Sequence, residues 1–89
     1  MPRYIVERTV GQLTKEEWDA VGKKSNAAIA QVGGGVVWVR SYISHAEGKV
    51  YCEYDAPSRD VVVELSRISG LPIDRISEIN LEISPSMFV

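Results

Sequence analysis

Five polar side chains and a group of aromatics are the residues of this sequence that could do chemistry. Glu64 borders the apolar stripe of a predicted helix. A carboxyl at such an edge can have a raised pKa and serve as a catalytic acid or base. The plainer reading of Glu64 is a surface carboxylate paired to Arg67 or Arg59. Glu7 and Glu53 lie on two stretches that read as strands, and carboxylates brought together can hold a hard or borderline divalent cation. Their plainer reading is pairing with Arg3, Arg40 or Lys49 across strands and across a dimer. Tyr4, Trp38, Tyr42, Tyr51 and Tyr54 combine apolar bodies with polar tips. Such residues suit a pocket for a small ring-containing ligand and suit a subunit interface equally. Cys52, with no evident His partner, reads as a small buried hydrophobe. His45 is the only histidine and falls in a short loop, where a solvated turn residue is the plainer account.

The elements that must position these groups follow from periodicity. Val36–Ser44 and Lys49–Tyr54 are rich in Val, Ile, Trp and Tyr and alternate, so they read as a β-hairpin closed by His45-Ala46-Glu47-Gly48. Strict alternation puts Val37, Val39, Ile43, Val50, Cys52 and Tyr54 on one face. Val36, Trp38, Arg40, Tyr42, Lys49, Tyr51 and Glu53 fall on the other, which is too aromatic for plain solvent and too charged for dry core. Tyr4–Arg8 is a first strand, and Tyr4 and Val6 are expected to face the helices.

Thr14-Lys15-Glu16-Glu17 is a capping box, with Leu13 and Trp18 at hydrophobic-staple spacing. The helix it opens carries an apolar stripe of Trp18, Val21, Ala28, Ile29 and Val32, with Ser25 on the same face. Gly33-Gly34-Gly35 stops it. Ser58 caps a second helix with Asp60 in its first turn, and Val61, Leu65 and Ile68 form its inward stripe. Gly70 and Pro72 end that helix. Ile76–Ile83 alternates again as a fourth strand, with Ile79, Leu81 and Ile83 on one face.

Composition narrows the setting. At 89 residues the chain is one domain, residues 1–89, and buries only roughly 60–65% of its unfolded surface, so an oligomer would add stability. A net charge of −2 argues against a nucleic-acid partner. No apolar run is long enough to span a membrane. The opening Met-Pro-Arg-Tyr lacks an apolar signal core and there is a single cysteine, so a reducing cytoplasm is the expected compartment.

The order strand, helix, strand, strand, helix, strand predicts an α+β, ferredoxin-like βαββαβ fold. It is a four-stranded antiparallel sheet, spatial order fourth, first, third, second, with two helices on one face. That face is expected to include Val37, Val39, Ile43, Val50, Cys52, Ile79 and Leu81. The other face, with Trp38, Arg40, Tyr42 and Tyr51, is expected to pack against a second copy as a dimeric α/β-barrel. Such a dimer would bring Glu7 and Glu53 of both copies into one interior.

Several stretches together resemble a small family of bacterial ferredoxin-like proteins, formerly of unknown function and typified by a nickel-binding protein. They are Tyr4-Ile5-Val6-Glu7-Arg8, Trp38-Val39-Arg40-Ser41-Tyr42 and Lys49-Val50-Tyr51-Cys52-Glu53-Tyr54-Asp55-Ala56-Pro57, continued by Val62-Val63-Glu64 and Gly70-Leu71-Pro72. The resemblance implies a homodimeric barrel and binding of a divalent metal, nickel in kind. One position departs from it. Where the family reads Glu-His-Ala on the second helix, this chain has Glu64-Leu65-Ser66. Nickel favours imidazole ligands, so binding weaker than in a histidine-bearing relative is expected.

Two functions then stand side by side. One is a small homodimeric protein that binds a divalent metal or small ligand. The other is a cyclase- or monooxygenase-like enzyme acting on a hydrophobic organic substrate, an analogy of fold alone. In either case a cavity is expected between helices and sheet, with Tyr4, Cys52, Tyr54 and Leu65 in its wall and Glu64 as its polar anchor.

Overall fold

In the computed structural model, which describes residues 1–89, six main elements follow in chain order. They are β1 (Arg3–Thr9), α1 (Lys15–Val32), β2 (Val37–Ser44), β3 (Lys49–Asp55), α2 (Arg59–Ser69) and β4 (Arg75–Ile79). The strands form one antiparallel sheet in the order β2-β3-β1-β4. This is the ferredoxin-like arrangement read from the element order.

Local chemistry sets the helix ends. Thr14 Oγ1 accepts from the Glu17 amide at 3.1 Å, and the Glu17 carboxylate accepts from the Thr14 amide at 2.9 Å. Two otherwise unpaired donors of α1 are thereby satisfied. Ser58 Oγ accepts from the Val61 amide at 3.3 Å and opens α2. Gly70 closes that helix in the left-handed conformation, φ +73°.

The core lies between the helices and one face of the sheet. Tyr4 and Val6 of β1, Val50, Cys52 and Tyr54 of β3, Ala28 of α1 and Val62 and Leu65 of α2 are all buried there. Tyr4 and Val6 do face the helices, as their apolar character predicts. Arg8 follows them by strand alternation and is fully buried.

Three details differ from strict periodicity. Pairing jumps from Trp38↔Tyr54 to Arg40↔Glu53, so Val39 is an extra residue in β2. This bulge reverses the facing of everything before it. Val36 and Trp38 turn to the helix side, and Val37, expected in the core, is 49% exposed. Trp38 is therefore not on the open face where alternation placed it as a dimer residue. On α2 the fully inward residues are Val62, Leu65, Ser66 and Ser69, while Val61 and Ile68 pack at the margin. That centre lies roughly 150° from Glu64 at 100° per residue. Finally, β4 stops at Ile79. Ile79 pairs with Arg3, and Ile79 and Leu81 are exposed rather than covered by helices. Ile76 takes the inward position instead.

Candidate functional site

A cavity of about 270 Å³ lies between α1 and the β2–β3 half of the sheet. Trp18 and Ser25 from α1, Trp38 and Ser41 from β2, and Cys52 and Tyr54 from β3 contribute to its wall. The sequence places them there in three ways. The staple position brings Trp18 over the sheet. The bulge at Val39 brings Trp38 and Ser41 to the same side, where the Trp38 indole N–H donates to Ser41 Oγ at 2.9 Å. Alternation along β3 puts Cys52 and Tyr54 beneath α1. The small Gly22 and Ser25 leave room between the helix and the sheet.

Tyr54 joins this cavity to a buried charge. Its phenolic oxygen accepts a 3.2 Å hydrogen bond from Arg8. The same guanidinium donates to Ser66 Oγ at 3.0 Å and to the Pro72 carbonyl at 3.0 Å, and its Nε has no partner. All of these partners are neutral, and Arg8 takes part in none of the ion pairs of the chain. Burial pushes the Tyr54 hydroxyl up to about 12, against the opposing pull of Arg8. Tyr54 is thus a neutral phenol at physiological pH. The Trp18 indole N–H is likewise buried without a partner.

The predicted site residues divide. Tyr54 and Cys52 do line the cavity. Tyr4 and Leu65 are buried in the core but outside its wall, and the Tyr4 hydroxyl donates to Glu78 at 3.4 Å. Glu64 faces solvent and accepts from Arg67 Nε at 3.0 Å. That pair holds its carboxyl below the usual range, the opposite of the raised pKa expected of an acid catalyst. The cause is the rotation of the α2 stripe, which puts Glu64 on the outer side.

Glu7 and Glu53 do share the open face of the two central strands. Each is already engaged: Glu7 with Lys49 at 2.8 Å, and Glu53 with Arg3 at 2.9 Å and Arg40 at 3.7 Å. No group of three His, Cys, Asp or Glu side chains lies together to hold a metal ion. His45 is in the exposed hairpin loop and Cys52 is under the helix. The residues of a single chain therefore do not fit a nickel centre. Tyr42 is exposed and Tyr51 half-buried, both on the open face with Arg40. The sequence reading does not single out Arg8 or Trp18 as site residues. The one signal was an arginine at the alternate position of an apolar strand face.

Comparison with known proteins places this geometry. The crystal structure of SCO4226 from Streptomyces coelicolor A3(2) superposes with a TM-score of 0.79 at 20% identity, covering 91% of this chain and 99% of that one. At that identity the likeness concerns the fold. No curated protein matches the chain. The family model for the nickel responsive protein SCO4226-like proteins matches residues 4–79, most of the sequence, and the chain therefore belongs to that family.

Proposed function

We propose that this chain is a non-catalytic binding protein whose ligand is a small, largely apolar molecule held between α1 and the sheet, and that it works as a two-fold homodimer. The observation that carries the reading is the cavity beside Trp18, Trp38 and Tyr54. At about 270 Å³ it is just below the ~300–1,000 Å³ of drug-sized sites, which points to a ligand of one ring. Catalysis is not part of the reading, because the carboxylate expected to do it, Glu64, is on the outer surface.

The open sheet face supports the dimer. It presents exposed Tyr42 between cations (Arg3, Arg40, Lys49) and carboxylates (Glu7, Glu53), a mixture that a two-fold copy can complement. Leu81, Ile83 and Phe88, all more than half exposed, follow β4. Large exposed apolar side chains of this kind suit an interface.

Benzyl alcohol, a neutral one-ring probe, tests the reading. It should shift the indole N–H signals of Trp18 and Trp38 saturably in ¹H–¹⁵N spectra, and Ser25→Leu, which fills the cavity, should abolish the shift. No shift in the wild type would overturn it.

A second reading is favoured by the family's name and by Glu7 and Glu53 sharing one face. In a face-to-face dimer four carboxylates would converge, and nickel would have to displace Lys49 and Arg3 from them. Calorimetric titration should then show saturable nickel binding that Glu53→Gln weakens. Absence of heat, with no metal retained after dialysis, would remove this reading.

A further inference from the structure

We infer that Gly22 determines the size of the ligand in the α1–sheet cavity. The protein selects a methyl-substituted ring over the bare ring, with the substituent lying over α1 where another residue would carry its Cβ. The inference rests on the binding reading above and concerns the shape of the ligand.

Gly22 sits inside α1, away from the caps at Thr14 and Gly33. Glycine is a poorer helix former than every residue except proline. The ordinary reasons for tolerating one are absent here. Its φ is not positive, unlike that of the other six glycines of the chain. No neighbour presses on it either. A Cβ added at Gly22 would have nothing within 4 Å, whereas one at Gly48 would lie 3.0 Å from the Gly11 Cα and one at Gly70 3.2 Å from the Lys24 Nζ.

Yet Gly22 faces inward. Trp18, Gly22 and Ser25 are spaced four and three residues apart, which puts them on one face of the helix. All of them line the cavity. Protein interiors are densely packed, so an inward position whose Cβ would touch nothing is unusual. Ser25 withdraws as well, because its hydroxyl donates to the Val21 carbonyl at 2.8 Å and so folds back along the helix. The empty space in front of Gly22 is therefore part of the cavity. A carbon placed there belongs either to residue 22 or to the ligand, not to both. Alanine would make the better helix, so the glycine gives up stability for that space. The wall around it is mostly apolar, with Val21, Ile43 and Val50 among its residues. Such a wall suits a methyl group and penalises a polar substituent left without a partner.

The ortho, meta and para isomers of methylbenzyl alcohol, compared with benzyl alcohol, test this. The full chain is titrated with the Trp18 and Trp38 indole signals as the readout. At least one isomer should bind the wild type roughly fourfold tighter than benzyl alcohol, the gain from burying one methyl group. Gly22→Ala should abolish that gain and leave benzyl alcohol binding in place. The same variant should unfold at a higher urea concentration than the wild type. A lower urea midpoint would show that a neighbour does press on the added Cβ, and would overturn the inference. So would a wild type that binds no isomer more tightly than benzyl alcohol, or a variant that keeps the gain. Each of these leaves the cavity reading standing. Binding of no probe at all would overturn both.

Discussion

The Trp38 indole N–H reaches Ser41 Oγ, three residues along the same strand, at 2.9 Å. In a regular strand these two side chains point to opposite faces. Here the extra residue Val39 returns Ser41 to the side that Trp38 occupies. The bond therefore spans the bulge and ties both residues to the cavity wall. Trp38→Ala should cost about 2–4 kcal/mol by urea denaturation, from lost packing at a partly buried site. It should leave the association state unchanged, because the residue is not on the open face.

Tyr42→Asp should do the reverse. Tyr42 is 52% exposed on the open face, opposite Tyr51. In the proposed dimer a carboxylate there would be buried without a partner. Light scattering at micromolar concentration should give twice the chain mass for the wild type and the chain mass for the variant. A wild type with the chain mass alone would rule out the dimer.

Tyr54 should ionise late. Burial raises its hydroxyl to about 12 from 10. The folded-state value lies above the unfolded one, so the neutral phenol favours the fold. That contribution is complete below pH 10 and is lost as the pH rises through 12. Absorbance titration should show a late phenolate step near 12 that Tyr54→Phe removes. The fold should become more sensitive to alkali over the same window in the wild type than in the variant.

Glu64→Gln should be silent. The carboxylate is solvent-facing and paired with Arg67, with its pKa lowered by that partner. Probe binding and thermal midpoint should match the wild type. A loss of probe binding with the fold intact would mean that α2 presents Glu64 to the ligand after all.

Gly48→Ala should destabilise by about 2 kcal/mol. Gly48 has φ +65°, and an added Cβ would lie 3.0 Å from the Gly11 Cα. The Gly48 carbonyl also accepts the Val10 and Gly11 amides at 2.9 and 3.0 Å. This contact pins the hairpin turn to the segment after β1. Guanidinium denaturation would measure the change, and an unchanged midpoint would contradict it.

Local chemistry, written in neighbouring residues, was legible without coordinates. The Thr14–Glu17 capping box, the Ser58 cap, the hairpin at Gly48 and the element order all appear as read. The order of elements is enough to define the sheet, because right-handed crossovers leave few alternatives. The inward facing of Tyr4, Cys52, Tyr54 and Leu65 was legible for the same reason, since side-chain period follows from backbone geometry. What periodicity could not convey was its own interruption. A single extra residue at Val39 has no distinctive composition, yet it moves Trp38 from the open face to the cavity. The rotation of α2 that turns Glu64 outward depends on which side chains pack against the sheet, and only three-dimensional contacts settle that. The short β4 follows from pairing with β1 that ends at Arg3↔Ile79, although the alternation in the sequence continues. The juxtaposition of Arg8 with Tyr54, Ser66 and the Pro72 carbonyl unites residues 46 to 64 positions apart. No local pattern encodes such a meeting. It exists because tertiary packing closes over a cation that strand alternation had already turned inward.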